Sequence, residues 1–242
     1  MIVLGSLLFN LLFNIWTALF SMGVCLIALL PRRLLQSIIV WWMGGIMWLL
    51  RILCGIRYEI RGWENFPAAP AVIASKHQST WDTGIFYVLC SDVAYVLKRE
   101  LLWIPFYGWV LKRVKMIAVN RDAGASAMKS LIRQSRDAIA KKRHVVIFPE
   151  GTRRNPDAPP DYQPGVFAVY RAAGDLPTVP VALNSGVFWP RRSFLKRPGR
   201  IVIEFLPAMP KGLGREEFMK ELEERIETAT ARLVAEAEQQ KN

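Results

Sequence analysis

Ala71-Val72-Ile73-Ala74-Ser75-Lys76-His77-Gln78-Ser79-Thr80-Trp81-Asp82-Thr83 decides how the rest of the chain is read. The apolar run Ala71–Ala74 predicts a short buried strand. Polar residues then break it, and Asp82 falls in the first turn of a helix that follows. A histidine in the loop after a strand, five residues ahead of an aspartate, is a base with a partner to orient it.

Working outward, short β-rich runs recur at Val93–Leu97, Met116–Val119, Val145–Phe148, Thr178–Leu183 and Ile201–Phe205. Between them, residues 126–142 predict a helix with Met128, Leu131, Ile132 and Ile139 on one side and Arg133, Arg136 and Lys141 on the other. From about Arg215, Phe218, Leu222, Ile226, Ala229 and Leu233 mark a final packing helix. Strands alternating with helices predict an α/β fold, a largely parallel or mixed sheet covered by helices, over residues 57–242. His144 is expected at a strand edge, without a role. Residues 155–161, rich in proline, predict a loop.

Ahead of this body the chain is apolar. Residues 2–30 and 34–50 carry no charged side chain, and only Pro31-Arg32-Arg33 separates them. The first run exceeds the ~20 residues that span a hydrocarbon core; the second is at the lower limit. No Lys or Arg precedes the first run and no small-residue cleavage site follows it, so a signal peptide fits poorly. Residues 1–56 predict a membrane-associated helical hairpin. Ser6, Asn10, Asn14, Thr17 and Ser21 form one polar stripe, which in lipid wants a neighbouring helix or the interface. Gly44-Gly45 allows close approach, and Trp41, Trp42 and Trp48 suit an interfacial depth. Arg32-Arg33 and the later Arg51, Arg57 and Arg61 all prefer the cytoplasmic side. This favours a hairpin dipping into one leaflet, or one crossing helix and a surface helix, over two ordinary crossings. Each reading places the body at the cell membrane, on its cytoplasmic face.

Mean hydropathy is +0.19 and net charge is +12; residues 211–242 are net −2, so residues 1–210 carry +14. Beside an apolar N-terminus, that charge points to anionic lipid. A nucleic-acid partner is not expected: there is no zinc-finger spacing, and the aromatics do not interleave with the basic clusters. Arg191, Arg192, Lys196, Arg197 and Arg200 flank Phe194-Leu195, as a membrane-facing or merely solvated basic loop would. Cys25, Cys54 and Cys90 have no metal spacing, and their odd number argues against a disulfide framework.

Neutral imidazole is a usable base near pH 7, with an ordinary pKa of about 6.5. A carboxylate on one ring nitrogen fixes the tautomer and leaves the other nitrogen free to accept a proton. A hydrolase would bring its own serine, but no Gly-x-Ser-x-Gly elbow is present. Ser79 is expected to cap the helix. The hydroxyl to be activated therefore belongs to a substrate.

A second block, Phe148-Pro149-Glu150-Gly151-Thr152-Arg153, follows a strand run. Gly151 lets backbone approach a ligand, and Arg153 can fork onto a phosphate. Glu150 is expected to accept from a glycerol hydroxyl or to hold an arginine. Arg121 ends the run Met116–Arg121. Either arginine alone reads as a surface residue; two at strand ends with a Glu-Gly turn describe an anion pocket.

These blocks resemble the glycerolipid acyltransferase family. His77–Asp82 is similar to its His-x4-Asp block, and Met116–Arg121 to its second block. Phe148–Arg153 resembles its FPEGTR block, roughly 65–70 residues on, and Val179-Pro180-Val181-Ala182-Leu183 its fourth, linked in the family to the acyl site. There are departures. Lys76 and Asn120 stand where many members have Asn and Asp, and the second block lacks its usual glycine and phenylalanine. The resemblance implies transfer of an acyl group from acyl-CoA or acyl carrier protein to the sn-2 hydroxyl of lysophosphatidate, giving phosphatidate. It assigns His77 and Asp82 to the chemistry, and Arg121, Glu150, Gly151, Thr152 and Arg153 to the acceptor, with no metal or redox cofactor. The rival readings are the same chemistry on glycerol 3-phosphate, another lysophospholipid or a lyso-ornithine lipid, a hydrolase, and a non-catalytic protein that binds anionic lipid.

Overall fold

The computed structural model describes residues 2–26, 31–68 and 70–239. Seven strands form one sheet: β1 (Ile56–Arg61), β2 (Val72–Ser75), β3 (Val93–Lys98), β4 (Ile117–Val119), β5 (His144–Ile147), β6 (Thr178–Leu183) and β7 (Gly199–Phe205). Their order is β1-β7-β6-β2-β5-β3-β4. All pairs are parallel except β6 with β7, which are antiparallel. This is the expected mixed α/β architecture. β1 is the one strand without an apolar run. In it, Arg57, Glu59 and Arg61 alternate with Ile56, Tyr58 and Ile60, as suits a half-covered edge. His144 is a strand end rather than a sheet edge. It is buried, and β5 lies between β2 and β3.

Among the described residues, eight α-helices accompany the sheet: α1 (Ile2–Leu26), α2 (Arg32–Cys54), α3 (Trp81–Leu89), α4 (Tyr107–Arg113), α5 (Gly124–Ala140), α6 (Gly165–Ala173), α7 (Ser185–Phe188) and α8 (Arg215–Gln239). Successive residues of a strand face opposite ways, so each strand feeds two cores. Ile73 joins Tyr95, Val146 and Val179 beneath α1–α4. Val72 and Ala74 join Val145 and Ile147 beneath α5, α6 and α8, where Leu131, Val169, Phe218 and Leu222 are buried.

The hairpin is not separate from the body. Phe9 of α1 and Leu35, Ile39, Ile46 and Leu50 of α2 share one apolar cluster with Ile73, Phe86 and Val181. At its N-terminus α2 is held by Arg32, which donates to both oxygens of Asp92 at 2.8 and 2.6 Å. At its C-terminus it passes through Gly55 into β1. The helix is thus fastened to the body at both ends and along one buried face. Arg32, counted in the sequence as a charge that sets topology, is committed to this ion pair.

Two residues of the polar stripe of α1, Ser6 and Asn10, bond to the body, while Asn14 donates within α1 to Asn10 O. Ser6 Oγ accepts from Lys196 N at 2.9 Å, and Asn10 Nδ2 donates to Phe194 O at 2.9 Å. Lys196 does not face lipid: it is buried, donates to Asn10 Oδ1 at 2.7 Å and lies over the Phe9 and Trp189 rings. Trp16 packs against Gly45, while nothing lies close to Gly44. Trp42 stacks on Phe20 of α1 instead of facing outward; Trp41 and Trp48 are exposed.

Candidate active site

The residues singled out in the sequence come from loops at the C-terminal ends of parallel strands, where open α/β sheets place their ligands. His77 follows β2, Arg121 follows β4 and Glu150–Arg153 follow β5. β2 and β5 are neighbours, so their loops meet; β4 is the edge strand two places beyond β5, and Arg121 reaches back from it to the loop after β5.

His77 Nδ1 lies 3.1 Å from Asp82 Oδ2. The same oxygen accepts from the Gln78 and Ser79 amides at 2.7 and 2.8 Å. Ser185 Oγ donates to Asp82 Oδ1 at 2.6 Å. Two amides and a hydroxyl thus aim the buried Asp82 carboxyl at the imidazole. With Nδ1 donating to Asp82, Nε2 is the nitrogen left to accept a proton. Nε2 has no protein partner among the described residues. The ring also stacks on Phe148, with centroids 3.9 Å apart, so its plane is set by packing as well as by Asp82. Ser79 Oγ accepts from Trp81 N at 3.2 Å, a local bond at the start of α3.

Glu150 does not hold an arginine; both its oxygens have partners within the protein. It is buried, and its Oε1 accepts from Lys76 Nζ at 2.8 Å. Its Oε2 accepts from the His77 amide at 3.2 Å. It holds a lysine and a backbone amide. Burial pushes its carboxyl above the ordinary range, and Lys76 opposes that shift.

Gly151 has φ 63°, the left-handed region that suits a residue without Cβ. An added Cβ would lie 3.1 Å from the Arg121 guanidinium. Arg121 itself donates to Gly151 O, so it folds over this turn from the end of β4. Arg153 donates to Thr80 Oγ1, inside the His–Asp loop. The two arginines thus reach the two loops that frame the histidine. Thr152 turns elsewhere, into a hollow of about 420 Å³ shared with Arg154, Asn155, Arg191 and Arg192. The Val179–Leu183 block is β6 itself, wholly buried, and it supports β2 from within the sheet.

Ser185 and the Lys76 contacts belong to no sequence motif. Nor do Trp103, Ile104, Phe106 and Trp109, exposed apolar side chains just before and within α4, a helix that packs beside α1. The sequence signal for this patch is the uncharged run Leu101–Trp109.

The chain is similar to known proteins. Residues 57–184 match the family described as Acyltransferase. The chain is 40% identical over 209 residues to a 1-acyl-sn-glycerol-3-phosphate acyltransferase of Pseudomonas aeruginosa, covering 86% of this chain and 81% of that one. It is 29% identical over 164 residues to the 1-acyl-sn-glycerol-3-phosphate acyltransferase alpha of Homo sapiens, covering 66% of this chain and 58% of that one. The crystal structure of the 1-acyl-sn-glycerophosphate (LPA) acyltransferase PlsC from Thermotoga maritima superposes with a TM-score of 0.74 at 20% identity, covering 95% of this chain and 94% of that one, and so shares its fold. Taken with the paired histidine and aspartate at the end of β2, these matches show that the chain belongs to the acyltransferase family.

Proposed function

We propose that this protein transfers a fatty acyl group from acyl-CoA or acyl carrier protein to the sn-2 hydroxyl of lysophosphatidate, releasing phosphatidate. The observation that carries the reading is a histidine fixed at Nδ1 by a buried carboxylate and open at Nε2, with Arg153 on Thr80 of its own loop and Arg121 on Gly151 of the neighbouring one. His77 Nε2 takes the proton as the acceptor oxygen attacks the thioester carbonyl. The intermediate collapses, the carbon–sulfur bond breaks, and the imidazolium returns the proton to the departing thiolate. Asp82 steadies the imidazolium. Arg121 and Arg153 grip the phosphate of the acceptor, which points its glycerol toward His77.

Substrate and product are both amphiphiles, so the site belongs at a bilayer surface. The outer face of α1 supplies the means: Val3, Leu4, Leu7, Leu11 and Leu19 are each more than half exposed. Trp103, Ile104 and Trp109 extend that apolar surface beside α4. The hairpin lies in one leaflet, with α2 against the body and the site at the cytoplasmic surface.

A positioned base is worth about 10²–10⁴ in rate. His77→Ala is therefore expected to lower kcat for lysophosphatidate at least a hundredfold, with the fold and vesicle binding retained. The measurement is acyl transfer by purified enzyme in mixed micelles, with a control lacking acceptor. Full activity in the variant would refute the assignment; fatty acid released without acceptor would point to a hydrolase.

A further inference from the structure

Behind the histidine lies a charge cluster that the transfer chemistry does not use. Lys76 Nζ donates to Glu150 Oε1 at 2.8 Å and to the two Glu227 oxygens at 2.8 and 2.9 Å. The Lys76 and Glu150 side chains are 1% and 0% exposed, and Glu227 is 26% exposed. Tyr162 OH donates to Glu227 Oε1 at 2.8 Å and closes the outer side. Glu227 comes from α8 and Tyr162 from the segment before α6, so two distant elements converge on the residue preceding His77.

The inner end of the cluster touches the catalytic loop. Glu150 Oε2 accepts the His77 amide, and Arg154 N donates to His77 O at 2.8 Å. Both backbone groups of His77 are thus bonded to the loop after β5. On the other side, Lys76 N donates to Val181 O and extends the pairing of β2 with β6. Holding a neutral amide does not itself require a charged acceptor, since a glutamine oxygen would serve. An ionised carboxylate at this depth does require a counter-charge.

We propose that Lys76 is a positioning residue. Its ammonium, braced by Glu227, keeps Glu150 ionised and aimed at the His77 amide, and so fixes the loop from which the imidazole works. This rests on the proposed transfer reaction. The groups facing Glu150 are Lys76 and the His77 amide from the loop after β2, Glu227 and, beyond it, Glu223 from α8, and Tyr162. Among these Lys76 is the one cation. Without it, burial and the Glu227 charge both favour a protonated Glu150. The acid then carries a proton that needs a partner of its own, and its grip on the amide weakens.

The test compares wild type, Lys76→Met and Lys76→Met/Glu150→Gln in acyl transfer across pH, with melting curves to establish folding. Lys76→Met is expected to lose about tenfold or more in kcat at neutral pH, with KM for lysophosphatidate within about twofold. Its pH–rate profile gains a limb that rises with pH, as Glu150 ionises, which the wild type lacks. The neutral double variant loses that limb and recovers kcat to within about threefold of wild type. A Lys76→Met enzyme with wild-type kcat and profile overturns the proposal. So does a folded double variant no better than the single, or a double variant that cannot fold. If the single variant alone fails to fold, recovery of folding and activity in the double supports charge compensation. Failure of the wild type to acylate lysophosphatidate would instead defeat the functional reading, and the variants would be compared on the acceptor it does use.

Discussion

Asp82 orients the base, and Ser185 helps to orient Asp82. The hydroxyl donates to Asp82 Oδ1, the oxygen that His77 does not use. A hydrogen bond to a charged group contributes about 1.5–3 kcal/mol, and each 1.36 kcal/mol is tenfold in rate. Ser185→Ala is therefore expected to lower kcat by about tenfold to a hundredfold while KM for the acceptor holds. Steady-state kinetics decides this, and an unchanged kcat would show that the remaining donors suffice. His77 and Asp82 are legible in the sequence because their relation is local, five residues in one strand–loop–helix unit. Ser185 is not, because it lies 103 positions from Asp82. Only the placement of β6 beside β2 brings the two together, and no spacing rule carries that information. The same holds for Lys76 and Glu227, 151 positions apart. Glu150 was legible as a site residue, but its partner was not, because the departure at Lys76 replaces a neutral side chain with a charge.

At the scale of elements, the apolar N-terminal runs are plain in the sequence, but what they pack against is not. Hydropathy treats α2 as a candidate crossing. The structure shows a helix whose buried face, Leu35, Ile39, Met43, Ile46 and Leu50, closes a sheet core. Its N-terminal fastening is Asp92, just ahead of β3, which accepts from Arg32, Gln36 and Arg143. Burial alone would raise the Asp92 carboxyl, but the three hydrogen-bonding partners outweigh it and hold it below the ordinary value. A folded value below the unfolded one, about 3.9, means that this stability is fully present above that pH. It is lost as the pH falls through the folded value. Asp92→Asn also leaves the buried Arg143 without its counter-charge, a loss of about 3 kcal/mol at neutral pH. Thermal melts should therefore show a lower Tm for Asp92→Asn at pH 7 and a shallower decline than wild type below about pH 4. Parallel curves would mean that Asp92 does not contribute to the acid sensitivity of the fold.

For the whole molecule, the questions are how it meets a bilayer and which force does the work. Two contributions are separable. The exposed α1 leucines bury apolar surface, worth about 25 cal/mol per Å² removed from water, and this term does not depend on lipid charge. The +14 carried by residues 1–210 acts through those basic groups that face the surface, each worth about 1 kcal/mol against an anionic leaflet. Several of them are spent internally: Arg32 and Arg143 on Asp92, Lys76 on two glutamates, and Lys196 on α1. Arg191, Arg192 and Arg197 flank the exposed Phe194 in a loop that touches α1 through Asn10, whereas Arg200 lies in β7 and pairs with Glu59 at 2.8 Å. Sedimentation with vesicles tests the division. Binding should strengthen as phosphatidylglycerol replaces phosphatidylcholine. It should weaken from about 0.05 to 0.5 M salt, as the screening length falls below ~10 Å. The part that survives high salt should be lost in Leu7→Ser/Leu11→Ser. That substitution should leave the lipid-charge dependence of the remainder intact, because the arginines sit on another element. Binding equally tight to neutral vesicles at all salt concentrations would mean that α1 alone holds the enzyme down and that the basic surface is turned away from the membrane.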